Sequence, residues 1–116
     1  MNRKWRISNI LKDLGISASL SGYLYLRDAI ELCMDNPQAL QRIHKLMYPE
    51  LALKYKTTDS AIERAIRHAI ETGWLKCDLD LVDNLFGSSL SASRGKPTNK
   101  EFIASVADYL TVVQED

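Results

Sequence analysis

Hydrophobic residues recur every three or four positions along most of this chain, and no strand-type alternation extends beyond a few residues. That spacing places apolar side chains on one face of a helix. Together with residues that start and stop helices, it predicts helical segments at about 7–14, 21–34, 37–47, 48–55, 59–73, 77–86 and 98–113. We therefore predict an all-α fold, a compact bundle of six to seven helices.

Residues with special roles at helix ends support these boundaries. Gly15 suits the left-handed position that ends the first helix. Pro37 breaks one helix and suits the first turn of the next. Thr98 and Glu101 have the spacing of a capping box, in which each side chain accepts a hydrogen bond from the other residue's backbone N–H. These signals indicate where helices begin and end before any tertiary contact is considered.

The segment 46–74 has the pattern of a helix-turn-helix. Its second helix carries a continuous apolar stripe, formed by Ile62, Ala65, Ile66, Ala69, Ile70 and Trp74. A shorter helix precedes it at 48–55, with Pro49 in its first turn, and the polar link 56–60 is too short for a domain linker. A short helix, a tight turn and a second helix with a charged outer face together fit the major groove of DNA. We therefore expect double-stranded DNA as a partner.

The apolar stripe leaves a polar face on the second helix. Its candidate DNA-contacting residues are Ser60, Ala61, Glu63, Arg64, Arg67 and His68. Arg64 can donate two hydrogen bonds to guanine O6 and N7, and Glu63 can accept one from cytosine N4. Arg67 and His68, one turn later, are better placed for phosphates or for a flanking base. The alternative is a solvated face on which Glu63 and Arg67 form an i,i+4 ion pair and nothing binds.

Composition and charge favour a folded domain of the cytoplasm. The chain has 116 residues, of which 46% are apolar and 26% charged, so it can bury a core without disulfides or metals. No run approaches the roughly 20 apolar residues of a membrane helix, and no apolar signal core follows the basic start. The formal net charge is zero, yet lysine and arginine cluster at 3–12, 42–76 and 94–100. Such clusters allow a neutral protein to present a basic face to DNA.

The sequence gives no indication of catalysis, a cofactor or a metal ion. His44 lies before the helix-turn-helix pattern and His68 lies on its second helix, so the two are far apart in sequence, and no serine or cysteine has a general base beside it. The acids of 78–83 lack the glycine and the closing glutamate of a calcium loop and suit a helix N-terminus instead. Cys33 and Cys77 have apolar or helical neighbours, which is typical of buried or idle thiols. We expect neither an enzyme nor a metalloprotein.

Several motifs carry a resemblance to a known family. They are Glu63-Arg-Ala-Ile-Arg-His-Ala-Ile-Glu71 followed by Trp74, Gly22-Tyr-Leu-Tyr-Leu-Arg-Asp-Ala-Ile30, Leu46-Met-Tyr-Pro49, and Lys96-Pro-Thr-Asn99 with Glu101-Phe-Ile-Ala104 and Val106-Ala-Asp108. In these motifs, from Ser8 to about Leu110, the chain resembles the C-terminal effector domain of the stage-zero sporulation protein A family, the sporulation response regulators of Firmicutes. The resemblance covers nearly the whole chain without large insertions.

This resemblance implies a sequence-specific transcription regulator that binds elements of the TGTCGAA type, often in tandem as a homodimer. A contact to RNA polymerase is a separate expectation. Carried over by position, Glu63 and Arg64 are implied to read bases. Ser60, Arg67 and His68 are implied to contact DNA nearby. Lys96 or Arg94 is implied to touch the DNA backbone.

The chain departs from the family in two respects. At Ala61 the family usually has an arginine that helps to read a guanine, and alanine cannot donate that hydrogen bond. Either specificity is relaxed at that base or the preferred element differs. The family also usually carries an N-terminal receiver domain, whereas we expect residues 1–116 to form a single effector domain with no receiver. An excised domain and a stand-alone relative both fit this expectation.

A second class of function stays open at this point. The chain would then be a protein-interaction module that modulates a full-length regulator or RNA polymerase without strong DNA binding of its own. Ala61 makes base reading weaker, and the serine- and glycine-rich stretch 87–96, a mobile loop or one ordered by a partner, would form the contact surface with the last helix. Strong binding to a cognate duplex would argue against this alternative.

Overall fold

The structure is a computed structural model that describes residues 2–76, 79–87 and 95–115. Its elements are α1 (Arg3–Asp13), α2 (Ser21–Asp35), α3 (Gln38–Gln41), a π-helical turn (Ile43–Met47), α4 (Tyr48–Lys54), α5 (Asp59–Trp74), α6 (Leu79–Phe86) and α7 (Asn99–Glu115). The described residues contain no strand. The Cα radius of gyration is 13.2 Å, close to the roughly 13 Å of a compact 100-residue domain. The predicted all-α bundle is confirmed.

Helix α2 lies at the centre and packs against α1, α5 and α7. Its apolar residues at helical spacing, among them Tyr23, Leu26 and Ile30, are buried as the sequence predicts. The stripe of α5 packs against α2, and Ile62, Ile66 and Ile70 are almost completely inaccessible to solvent. Because its apolar face is held in this way, α5 presents its polar face outward.

Gly22 allows α2 and α5 to approach unusually closely. A Cβ atom at this position would lie 2.2 Å from the backbone oxygen of Ala65 and 2.8 Å from the Cβ of Ala69. Any side chain larger than hydrogen would therefore push the two helices apart. The position of α5 depends on this contact.

The predicted signals at helix ends are confirmed for α1 and α7. Gly15 has a φ of +82°. Its N–H donates to the Lys12 oxygen at 2.9 Å, in the turn that ends α1. Before α7, Glu101 Oε1 accepts from the Thr98 N–H at 2.9 Å. Thr98 Oγ1 accepts from the Glu101 N–H at 3.1 Å. Both halves of the capping box are therefore formed.

The prediction of one continuous helix at 37–47 is wrong. Helix α3 ends at Gln41, and Arg42 departs from helical geometry with φ −114° and ψ 44°. A π-helical turn follows, in which the Met47 N–H donates to the Arg42 oxygen at 3.3 Å. Pro49 gives the physical reason: it lacks an N–H, and its ring would clash with the Lys45 carbonyl in a regular helix. The wider π-helical turn changes the helical phase, and the regular helix α4 then begins at Tyr48, one residue before this proline.

The remaining predictions concern the sixth helix and the membrane. Helix α6 ends at Phe86 as predicted, but Cys77 and Asp78, which were expected to cap it, lie outside the described residues. In the part of the chain that the structure describes, no helix is both long and apolar enough to cross a membrane.

Candidate nucleic-acid interface

Helices α4 and α5 form the predicted helix-turn-helix, joined by a tight turn. The Thr57 N–H donates to the Ala52 oxygen at 2.9 Å, and Lys56 takes a left-handed conformation with φ 55°. Thr58 then caps α5, since its side chain accepts from the Ala61 N–H at 3.1 Å. The turn therefore ends one helix and starts the next within four residues, as the polar link in the sequence suggests.

A buried carboxylate fastens α4 to the central helix. Asp28 on α2 is only 8% exposed, and its Oδ2 accepts from Lys54 Nζ at 2.8 Å and from the Tyr55 hydroxyl. Burial, together with the hydrogen bond to Asp28, raises the pKa of Tyr55 to about 12. The role of Asp28 was not predicted from the sequence. Its only signal is an acid among the inward positions of an apolar helix.

The exposed face of α5 holds most of the predicted DNA-contacting residues. Ser60, Arg64, Arg67 and His68 are exposed, and Glu63 and Ala61 are half-buried at its edges. Arg64 points away from the apolar stripe, because it lies about half a helical turn from Ile62 and Ile66. The predicted residues of the helix therefore share one surface.

Four charged side chains on and beside this surface form a continuous ion chain. Arg67 Nη1 donates to Glu63 Oε1 at 2.6 Å, and Arg67 Nε lies 4.0 Å from Glu71 Oε1. Lys96 Nζ donates to Glu71 Oε2 at 2.5 Å and thereby lowers the pKa of Glu71 below its usual value. We call Glu63, Arg67, Glu71 and Lys96 the ion chain. The i,i+4 pair considered above is thus present, and Glu71 is an additional member that the sequence analysis did not single out.

Arg64 lies outside this ion chain. Among the described residues it forms no ion pair, and neither does His68. Within the described part of the chain, the Arg64 guanidinium is therefore a cation of the α5 face that is not already paired with a carboxylate.

The position of Glu63 is supported from behind by a buried amide. Asn99 Nδ2 lies 3.1 Å from the Tyr48 hydroxyl and donates to the Glu63 backbone oxygen, also at 3.1 Å. This contact joins the starts of α4 and α7 to the second turn of α5. Burial raises the pKa of Tyr48 above its ordinary value, so its hydroxyl stays neutral. Asn99 was missed because its partners are remote in sequence.

Lys96 is positioned by the aromatic residue at the end of α5. The Trp74 indole N–H donates to the Gly95 carbonyl, and the Trp74 ring packs edge-on against Phe86 with centroids 5.3 Å apart. This contact brings the next residue, Lys96, close to Glu71. Arg94, the other predicted backbone contact, lies outside the described residues, as does most of the predicted loop.

A groove of about 1000 Å³ opens along one side of α5. Its walls are the π-helical turn, the α5 flank with Glu63 and Arg67, and the segment 96–100. The basic residues that line it are Arg42, His44, Lys45, Arg67, Lys96 and Lys100. The sequence showed basic clusters at these positions but gave no sign that they border one groove.

The family model described as "Sporulation initiation factor Spo0A C terminal" matches residues 7–110, nearly the whole chain. The chain belongs to this family. The resemblance noted in the sequence is confirmed.

The Spo0A C-terminal family gives the broad function. Its members are DNA-binding regulatory domains of sporulation, not enzymes. The match begins inside α1 and ends inside α7, so it includes the helix-turn-helix, the ion chain and the groove.

Two further features concern chemistry other than DNA binding. Cys33 is a buried free thiol whose pKa is raised by burial, as expected for an idle cysteine. Across the described ranges, no group of three or more metal-ligating side chains is brought together.

Proposed function

We propose that this Spo0A C-terminal domain is a sequence-specific transcription regulator whose α5, over about residues 59–73, enters the major groove of double-stranded DNA. The observation that carries the proposal is the exposure of Arg64 on the face of α5 opposite its buried stripe. A rigidly held helix with an outward arginine in its first turns suits base reading.

The residues of the α5 face take distinct roles in this proposal. Arg64 donates two hydrogen bonds to a guanine, and Glu63 accepts one from a cytosine. The free backbone N–H groups at the start of α5, around Ser60, receive a phosphate. Arg67 and His68 contact the backbone or a flanking base one turn later.

The groove beside α5 supplies the sequence-independent part of the interaction. Its basic residues suit the phosphates of one DNA strand next to the major groove, with Lys96 on one side and Arg42 and Lys45 on the other. By its place in the sequence, two positions before Lys96, Arg94 is proposed as a further backbone contact. Phosphate contacts of this kind fix the register of a protein on DNA, and base contacts select the sequence.

The wider context is proposed from the family. Residues 1–116 act as one effector domain that binds a TGTCGAA-like element in the cytoplasm, in tandem with a second copy and in contact with RNA polymerase. Ala61, where the family usually has an arginine, lies at the start of α5 and weakens the reading of one guanine.

The protein-interaction module remains as a second candidate because of an exposed apolar pair on the last helix. Val112 is 53% exposed and Val113 is 36% exposed on α7, the helix expected to contact a protein partner. An interaction module requires no selective DNA binding, so the DNA-binding experiment described next separates the two candidates.

The proposal is tested by substituting Arg64 with alanine and measuring DNA binding by fluorescence anisotropy. Loss of one bidentate contact to guanine should weaken binding to a TGTCGAA duplex by about 5- to 150-fold. Thermal stability should stay nearly unchanged, because Arg64 is exposed and forms no ion pair among the described residues.

Lys12→Ala is the matched control, since it removes an exposed cation from the last turn of α1. A base-reading role for Arg64 would be contradicted if Arg64→Ala, like Lys12→Ala, changed the affinity for the cognate duplex no more than the affinity for a scrambled duplex. A large loss of stability in Arg64→Ala would instead assign the arginine to the fold.

A further inference from the structure

We propose that Glu71 sets how strongly this domain discriminates between its own element and other DNA, by holding Lys96 and Arg67 in ion pairs that a phosphate has to displace. This inference rests on the proposed function, because it assigns a role to a carboxylate beside the proposed reading face. Glu71 is a specificity-determining residue here and not a contact to bases.

The geometry gives each cation of the ion chain a carboxylate partner. Lys96 Nζ lies 2.5 Å from Glu71, and Arg67 lies between Glu71 at 4.0 Å and Glu63 at 2.6 Å. Lys96 lowers the pKa of Glu71, so the Glu71 carboxylate is charged throughout the neutral range. In the protein without DNA, Lys96 and Arg67 each face a carboxylate, so a phosphate has to compete with Glu71 or Glu63 for them.

The contact between Glu71 and Lys96 also has a structural side. The two residues are 25 positions apart in sequence, and their pair joins the last turn of α5 to the segment before α7. The Trp74 contact to Gly95 holds the same segment independently. Removing the charge of Glu71 should therefore release the Lys96 ammonium without releasing its backbone.

Cognate and non-cognate DNA depend differently on these cations. Binding to non-cognate DNA rests almost entirely on phosphate contacts and the counterions that they release. Binding to the element also gains from base contacts by Glu63 and Arg64, and the pair with Arg67 helps to orient Glu63. The Glu71 carboxylate therefore opposes non-cognate binding more than cognate binding.

The test is Glu71→Gln, which removes the charge and keeps the size of the side chain. Anisotropy with a TGTCGAA duplex and a scrambled duplex is measured over a salt series. For the scrambled duplex we expect binding about three- to tenfold tighter, with a salt slope steeper by about one unit, because one more phosphate contact forms. The cognate duplex should gain less, so the ratio of the two dissociation constants should fall.

Two comparisons separate this role from a general effect of charge. Glu31→Gln makes the same change in a separate cleft on α2 and should leave the ratio unchanged. In a Lys96→Gln background, Glu71→Gln should change binding to the scrambled duplex by less than about twofold, since the cation that it releases is gone.

Each remaining outcome overturns the inference in its own way. Equal tightening of both duplexes would make Glu71 an ordinary repulsive charge. Weaker binding of both would make it an organiser of the interface. An undiminished effect without Lys96 would remove the mechanism. If the unsubstituted protein itself does not prefer the element, the proposed function fails, and this result is distinct from the other three.

Discussion

Single residues determine how α5 is placed and which side chains its outward face presents. At Gly22, α2 lies so close to α5 that an added Cβ atom would stand 2.2 Å from the Ala65 oxygen, and Arg64 lies on the outward side of α5. Ala61 is half-buried at the edge of the outward face, in the first turn of α5. The packing of α5 against α2 and the outward face of α5 can therefore be tested by separate substitutions.

Substituting Gly22 with alanine should destabilise the fold. The added Cβ overlaps backbone atoms of α5 that cannot move alone, so we expect a loss of about 1–3 kcal/mol in the free energy of unfolding. Urea unfolding measures this loss, and Ser21→Ala, at the exposed neighbouring position, is the control. Full stability in Gly22→Ala would mean that α2 and α5 are not in the close contact described here.

Substituting Ala61 with arginine should sharpen selectivity for the TGTCGAA element. One restored contact to guanine adds about 1–3 kcal/mol of discrimination, which competition between the element and a variant with that guanine replaced would measure. Ala61→Gln, with a long side chain but no bidentate guanine contact, is the control. If Ala61→Arg leaves the preference unchanged, this chain reads its DNA through other positions.

The helix-turn-helix is attached to the bundle by polar contacts on both sides of its turn. Asp28 of α2 holds the end of α4 through Lys54 and Tyr55. Asn99, at the start of α7, holds α5 through the Glu63 backbone oxygen. Each attachment joins elements that are far apart in sequence, and each holds a polar group that would be costly to bury alone.

The Tyr55 attachment predicts a specific dependence of stability on pH. The pKa of Tyr55 is about 12 in the folded protein, against an ordinary value of 10.0. The folded state therefore keeps the phenol proton to higher pH than the unfolded state does. The resulting stabilisation is complete below about pH 10 and is lost as the pH rises towards 12.

Thermal unfolding of the unsubstituted protein and of Tyr55→Phe measures this contribution. The difference in stability should be constant below about pH 10 and should change in favour of the variant between pH 10 and 12. Lysine titration affects both proteins and largely cancels in the difference. A difference in stability that stays constant up to pH 12 would show that burial and the contact with Asp28 do not raise the pKa of Tyr55.

For the whole molecule, features encoded by neighbouring residues could be predicted and those formed by distant residues could not. The stripe of α5, the glycine that ends α1 and the capping box of Thr98 and Glu101 are local patterns, and all were found in the sequence. The π-helical turn was missed because the apolar spacing from Leu40 to Met47 is also compatible with a regular helix.

The same distinction applies to the candidate interface. The α5 face follows from helical periodicity, so its residues were predicted by position. The pairs of Glu71 with Lys96 and of Asp28 with Lys54 join residues 25 and 26 positions apart, and only the packing of the helices brings them together. The groove has the same origin, since its basic residues come from three separate segments.

We propose above that the outward face of α5 reads a DNA sequence. The most direct test is fluorescence anisotropy of the unsubstituted chain with a TGTCGAA duplex and a scrambled duplex over a salt series. We expect tighter binding of the element at every salt concentration, by at least about tenfold, with both affinities falling as salt rises. Weak binding that is equal for the two duplexes would contradict the claim and favour a protein partner for this domain.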